Sequence, residues 1–371
     1  MAVLRLNATR DGVLWAPGDD RDWTEALDAA LGTLAPAGRV TILVHGYRFT
    51  WRPHRDGSAP HCPQTRLYAG NPPSGSARLW PCEANWLAGL GLSHRGPTRP
   101  DGPAGRGTVP SLTIGFCWDA RRNGLATLLT TGRNDFAVVY DAAALAGRAL
   151  AAVLAHIAMR RPDAMPDVLA HSLGARVALG ALRAQPQLAL GRLVLLGAAE
   201  YAGIALEALT TQTAAGGTAN VYHVFSRAND IFDGIFGLLA PRPSLPGDRP
   251  LGLAGLGFGA GRASGALAER WIDLELDGGA AARAFAARGL ACERAHETVS
   301  HWHFYTDPGA MAAWRAILER RPGWEIAELR RAGLGRTPTP RWSRLLPRLP
   351  RIDPEDTVDT TAPASRAHAP G

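Results

Sequence analysis

The stretch Val168-Leu169-Ala170-His171-Ser172-Leu173-Gly174-Ala175-Arg176-Val177 constrains this chain more than any other. Residues 168–170 form an apolar run that reads as a buried strand, and residues 175–182 read as a helix. A serine and a glycine stand between them. Strand, sharp turn and helix is the context in which a serine is strained and its Oγ lifted clear of a sheet as a nucleophile. Ala170 stands where the usual G-x-S-x-G pattern has glycine, which makes a positive φ before the serine harder. The alternative is a serine that N-caps the following helix.

Strands and helices alternate around this stretch. Residues 2–6, 40–44, 111–118, 192–196, 220–225 and 271–276 read as strands, rich in apolar residues and, at 40–44, strongly β-branched. Residues 22–34, 136–160 and 308–318 carry helical periodicity. Such alternation predicts an α/β fold with a mostly parallel sheet. The run 40–44 ends in His45-Gly46-Tyr47. A backbone N–H just past such a strand faces the reacting carbonyl in a serine hydrolase of this architecture. Tyr47 and Leu173 are the expected oxyanion donors; a plain strand-to-loop turn is the alternative.

Residues 49–110 are polar and rich in Pro, Gly and Arg, an insertion long enough to be a lid or a substrate wall. They hold His54, His61, Cys62 and Cys82, whose spacing fits no familiar metal site. Cys117, inside a strand, reads as a small buried apolar residue. The glycines of residues 252–261 lack the strand-then-helix context of a dinucleotide site and read as a loop. No metal and no cofactor is expected.

Composition excludes other classes. All 40 basic residues are Arg, and the formal charge is +7 with a pI near 9.8. With Ala, Gly and Pro also abundant, this reads as the coding bias of a GC-rich genome rather than a nucleic-acid surface. Four cysteines in 371 residues make no disulfide framework. No membrane-spanning segment and no signal peptide is read, so the expected location is cytoplasmic. Residues 1–329 read as one domain, and residues 330–371 as an Arg- and Pro-rich disordered tail able at most to make weak contact with an anionic surface. The oligomeric state is not legible.

A serine nucleophile needs an imidazole to take its proton and a carboxylate to orient that imidazole. Their order in this architecture is serine, acid, histidine. Asp230 follows a predicted strand, at the edge where α/β folds bind ligands, and His301 follows the last one. Asp233 and Glu200 are rivals for the acid, and His303 for the base. His171 belongs to the turn itself and is expected to lean away from the serine.

The set His45-Gly46-Tyr47, Ala170-His171-Ser172-Leu173-Gly174, the S-x-x-N-D segment Ser226 to Asp230, and His301-Trp302 resembles the α/β-hydrolase superfamily. Within it the chain is similar to bacterial "alpha/beta fold hydrolase" proteins of unassigned substrate. The resemblance covers about residues 40–318; Ala170 and the insertion depart from it. It implies about eight mostly parallel strands with helices on both faces, and a Ser172–His301–Asp230 triad, with His301 preferred over His303. The expected activity is hydrolysis of a small-molecule carboxylic ester through an acyl-enzyme. An acyltransferase or thioesterase with the same triad is the alternative, and so is a non-catalytic binding module, since fold does not fix function.

Overall fold

A computed structural model of the chain describes residues 2–51, 62–68, 85–92, 111–121, 131–241, 246–257, 265–293, 297–336 and 338–345. One sheet contains β1 (Ala2–Ala8), β2 (Leu14–Trp15), β3 (Arg39–Val44), β4 (Ser111–Trp118), β5 (Asp167–His171), β6 (Arg192–Leu196), β7 (Asn220–Phe225) and β8 (Trp271–Glu275). Their order is β2-β1-β4-β3-β5-β6-β7-β8. Every pairing is parallel except that of β2, which runs antiparallel to β1 at the edge. The chain thus has an α/β fold on an eight-stranded, mostly parallel sheet. Only the two-residue β2 escaped the sequence pattern.

Burial on both faces explains the largely apolar strands. Ile42, Val44, Val168, Ala170, Leu193 and Leu195 pack into one core, while Leu43, Leu169, Val194 and Leu196 pack into the other. The first face carries α1 (Trp23–Gly32), α2 (Asp135–Arg160), α3 (Leu173–Ala184) and α4 (Ala202–Ala214). Helix α5 (Asp230–Leu239) follows the carboxyl end of β7. The second face carries α6 (Gly279–Ala286), α7 (Pro308–Leu318) and α8 (Ile326–Arg331).

No membrane-crossing segment is expected from the sequence, yet α2 meets the requirement of length and composition, with a mean hydropathy of 1.7 over its most apolar stretch. More than half of that stretch is buried inside the protein. Its apolar residues, among them Val139, Leu150, Val153 and Ile157, fill the core beneath the sheet, as a helix buried in a large core does.

The described parts of residues 49–110 and 330–371 are both docked on the domain. The described pieces of the insertion are built into the fold: Leu67, Tyr68, Trp86 and Leu87 are fully buried in the second core, and the Gln64 amide donates to Asn7 Oδ1 and to the Gly115 carbonyl. A lid formed by the rest, with His54, His61 and Cys82, falls outside the described residues. The tail does not begin at residue 330. Leu329 and Leu334 are buried, the Arg344 guanidinium meets Asp277 at 3.2 Å, and the Trp342 N–H donates to Asp230 at 2.6 Å. Composition shows only arginine and proline there; scattered apolar side chains and facing carboxylates dock the segment. Residues 346–371 lie outside the described residues.

The topology decides where a site can form. The chain leaves β3 for β4 on one side, and leaves β5 for β6 on the other. At such a switch point the connections diverge and open a crevice beyond the strand ends. His45-Gly46-Tyr47 and His171-Ser172 stand at the ends of these two strands. Close approach there depends on Gly174: a Cβ on it would lie 2.5 Å from the Val44 carbonyl oxygen and 2.7 Å from that of His45. Gly174→Ala gains up to about 1 kcal/mol of helix propensity and forces α3 off β3. The expected net loss is roughly 2 kcal/mol, read as a lower urea midpoint at unchanged m-value.

Candidate active site

Ser172 has φ 55° and ψ −125°, a region that side chains other than glycine rarely occupy. Three backbone hydrogen bonds impose it. The Ser172 N–H donates to the Leu196 carbonyl at 2.9 Å, and the Ser172 carbonyl accepts from Ala175 at 2.9 Å and Ala199 at 3.1 Å. The turn is thus clamped to the end of β6. The Ser172 side chain makes no capping hydrogen bond to α3, so the N-cap alternative does not describe it. The positive φ falls on Ser172 itself. Ala170 lies within β5, opposite Val44 and Leu195, and its missing glycine costs nothing there.

The loop after β3 closes on the serine. A Cβ on Gly46 would lie 2.7 Å from that of Ser172, so a side chain at residue 46 would block the approach. His45 is fully buried and uses both ring nitrogens. Nδ1–H donates to the Gly46 carbonyl at 2.8 Å, and Nε2 accepts from the Trp118 N–H at 3.1 Å. Burial holds its pKa down to about 4, so it stays neutral. The Gly46–Tyr47 peptide is trans and planar. Anchoring its carbonyl therefore fixes the opposite direction for the Tyr47 N–H. The Leu173 N–H is the first of α3 and has no acceptor within that helix.

Ser172 and His301 line one cavity of about 550 Å³ with Tyr47, Phe49, Phe136, Phe232, Phe236 and Trp302. The wall is mostly apolar, with seven Phe, Tyr and Trp rings, and suits an apolar group. His301 stacks on Phe232 with ring centroids 4.8 Å apart. Its Nδ1 lies 2.7 Å from Oδ1 of Asn229. An amide oxygen only accepts, so Nδ1 carries the proton and Nε2 carries the lone pair. Burial, then the neighbouring His171 and His303, push the His301 pKa well below the usual histidine value. The ring is a neutral base at neutral pH.

The acid expected from sequence does not meet this histidine. The Asp230 carboxylate pairs with the Arg227 guanidinium at 3.0 Å and accepts from the Trp342 N–H. Burial raises its pKa, against those two groups, which lower it. Residues 229 and 230 straddle the junction between a 3-10 turn, Arg227–Asn229, and α5. One residue of helix turns a side chain by about 100°, and here that step puts the amide on His301 and the carboxylate on Arg227. The only sequence signal for Asn229 was its place beside Asp230 in the S-x-x-N-D segment.

The rivals are placed as well. Glu200 is buried and committed elsewhere, accepting from the Tyr140 hydroxyl, the Tyr201 N–H and Arg176. Asp233, four residues after Asn229, lines the cavity. His303 is fully buried, its ring centroid 4.2 Å from that of Phe304, and does not line the cavity. His171 does line it, contrary to expectation, yet its Nε2–H donates to the His301 carbonyl at 2.9 Å. Burial keeps its pKa near 3, so it braces the His301 backbone as a neutral ring. Among the described residues, no cluster of His, Cys, Asp and Glu could hold a metal ion. The arrangement brings a strained serine, a neutral imidazole with its lone pair on Nε2 and two candidate N–H donors to one cavity.

Comparisons with protein-family models, with curated proteins and with solved structures return no match to this chain.

Proposed function

We propose that the chain is a serine hydrolase of the α/β-hydrolase type that cleaves a carboxylic ester with an apolar group next to the scissile bond. The observation that carries this reading is Ser172: a strained serine at the switch point, sharing a cavity with a histidine whose proton is held on the far nitrogen. Strain of this kind persists where the surrounding structure enforces it and clusters at functional sites.

In this reading the Ser172 Oγ attacks the carbonyl carbon while its proton passes to Nε2 of His301. Asn229 keeps Nδ1–H oriented and receives a stronger hydrogen bond as the ring becomes imidazolium. The tetrahedral oxyanion is held by the Tyr47 and Leu173 N–H groups, each such donor typically contributing about 3 kcal/mol. His301 then protonates the leaving alkoxide, and the alcohol departs. Water, deprotonated by the same Nε2, attacks the acyl-enzyme; the acid leaves and Ser172 regains its proton. Asn229 takes the place proposed for Asp230, with an amide where the resemblance implies a carboxylate. Triads with asparagine in this place exist on other folds.

The test is fluorophosphonate labelling followed by peptide mapping. Adduct on Ser172, together with turnover of p-nitrophenyl esters, is the expected result. A folded protein that takes no label at Ser172 sinks the reading.

A further inference from the structure

Asp233 has no part in the chemistry above. It lies four positions after Asn229, is 2 % exposed and lines the cavity. Oδ2 of Asp233 and Nδ2 of Asn229 are both buried without a hydrogen-bond partner among the described residues. The two side chains are nonetheless neighbours, close enough for the amide to lower the pKa of the carboxyl. Asn229 is therefore satisfied at one end only, by His301.

We propose that Asp233 is a positioning residue: its carboxylate takes the Nδ2–H of Asn229 and so keeps Oδ1 turned toward His301. The argument rests on the symmetry of the amide. Rotating it by half a turn exchanges oxygen and nitrogen with little change of shape. With Oδ1 toward the ring, Nδ1 keeps its proton and Nε2 is the base. With Nδ2 toward the ring, Nδ1 must accept, the ring proton moves to Nε2, and His301 cannot take a proton from Ser172. A neutral imidazole tolerates either state. The choice falls to the other end of the amide. An ionised carboxylate is acceptor-only and admits only Nδ2. A protonated carboxyl has both a donor and an acceptor, and the preference disappears.

The surroundings set when this happens. The 3-10 turn brings Arg227 and Asn229, which lower the Asp233 pKa, and α5 brings Asp230, which raises it. The single-turn helix Leu251–Ala254 brings the backbone of Gly252 against the carboxylate. Across the cavity, His301 and His171 are kept neutral by burial. Burial is the dominant influence and pushes the Asp233 carboxyl up to about 8. Asp233 is thus placed to switch the amide within the working range of an enzyme, with the site more active above its titration than below.

The kinetic consequence rests on the serine-hydrolase reading; the tautomer does not. The test is ¹⁵N NMR of the histidine-labelled full chain from about pH 6 to about pH 10, a range that spans a titration near neutrality. His301→Gln assigns the ring signals. Wild type is expected to hold the proton on Nδ1 at high pH and to show mixed tautomers at low pH. Asp233→Asn, whose amide presents either end, is expected to show mixed tautomers throughout. It should fold, because a neutral isostere replaces a carboxyl whose charge burial disfavours. In ester hydrolysis, wild-type kcat should rise through the same titration, and Asp233→Asn should lose that rise with KM unchanged, about tenfold lower at high pH.

A His301 tautomer that ignores both pH and Asp233→Asn overturns the proposal, whether or not esters are cleaved. The wild-type titration needs no variant and decides the matter even if Asp233→Asn misfolds. A tautomer that follows Asp233 in a protein inert to fluorophosphonate keeps this proposal and removes the hydrolase reading.

Discussion

Replacing Ser172 with glycine should abolish ester hydrolysis and, at the same time, make the protein more stable. The two effects have separate causes. Removing Oγ takes away the nucleophile, and losses on the order of 10⁶-fold in kcat accompany such a deletion in serine hydrolases. The backbone at φ 55° and ψ −125° is a conformation that glycine adopts freely. Strain of this kind typically costs about 1–3 kcal/mol. Glycine loses roughly 0.5–1 kcal/mol through the greater freedom of its unfolded chain. The expected balance is a gain of about 1 kcal/mol, read as a higher urea midpoint. Ser172→Ala should lose activity equally and gain nothing, because alanine has the same aversion to a positive φ. If Ser172→Gly is less stable than wild type, the strain argument for this residue is wrong, even if activity is lost.

The second large effect separates two adjacent residues. Asn229→Ala should lower kcat on the order of 10³-fold with little change in KM, since an unheld imidazole samples the unproductive tautomer. Asp230→Asn should leave kcat within about threefold of wild type, a difference of well under 1 kcal/mol in the barrier. Its cost appears in stability instead. Asp230 faces a buried guanidinium 3.0 Å away, and removing one charge of such a pair costs about 3 kcal/mol. Kinetics and urea denaturation of both variants check the assignment. A large loss of kcat in Asp230→Asn with Asn229→Ala near wild type would return the orienting role to Asp230.

Much of the architecture is legible along the chain because its causes are local. Residues 168–170 are apolar throughout, and 40–44 and 192–196 are apolar but for Thr41 and Arg192, the pattern of a strand covered on both faces. The serine turn is legible because a small residue after it must pass a neighbouring strand: a Cβ on Gly174 would lie 2.5 Å from the Val44 carbonyl oxygen. Residues 330–345 misled for the opposite reason. Their order comes from Asp230, Glu275 and Asp277, which lie far away in sequence, and composition carries no trace of it. Helix α2 misled by degree: its alanine-rich stretch is apolar enough for a membrane, and only its packing under the sheet identifies it as core.

By itself, then, the sequence determined the class of fold, the strand–serine–helix turn and the candidates Ser172 and His301, since hydrophobic period and turn chemistry act over a few residues. Only the tertiary structure decided which group meets Nδ1 of His301. Asn229 and Asp230 are neighbours in the chain, and the hydrogen-bond partner depends on how the 3-10 turn feeds α5 and on where Arg227, Trp342 and His301 arrive. Those residues come together over separations of up to 112 positions, and no periodicity in the chain encodes that meeting.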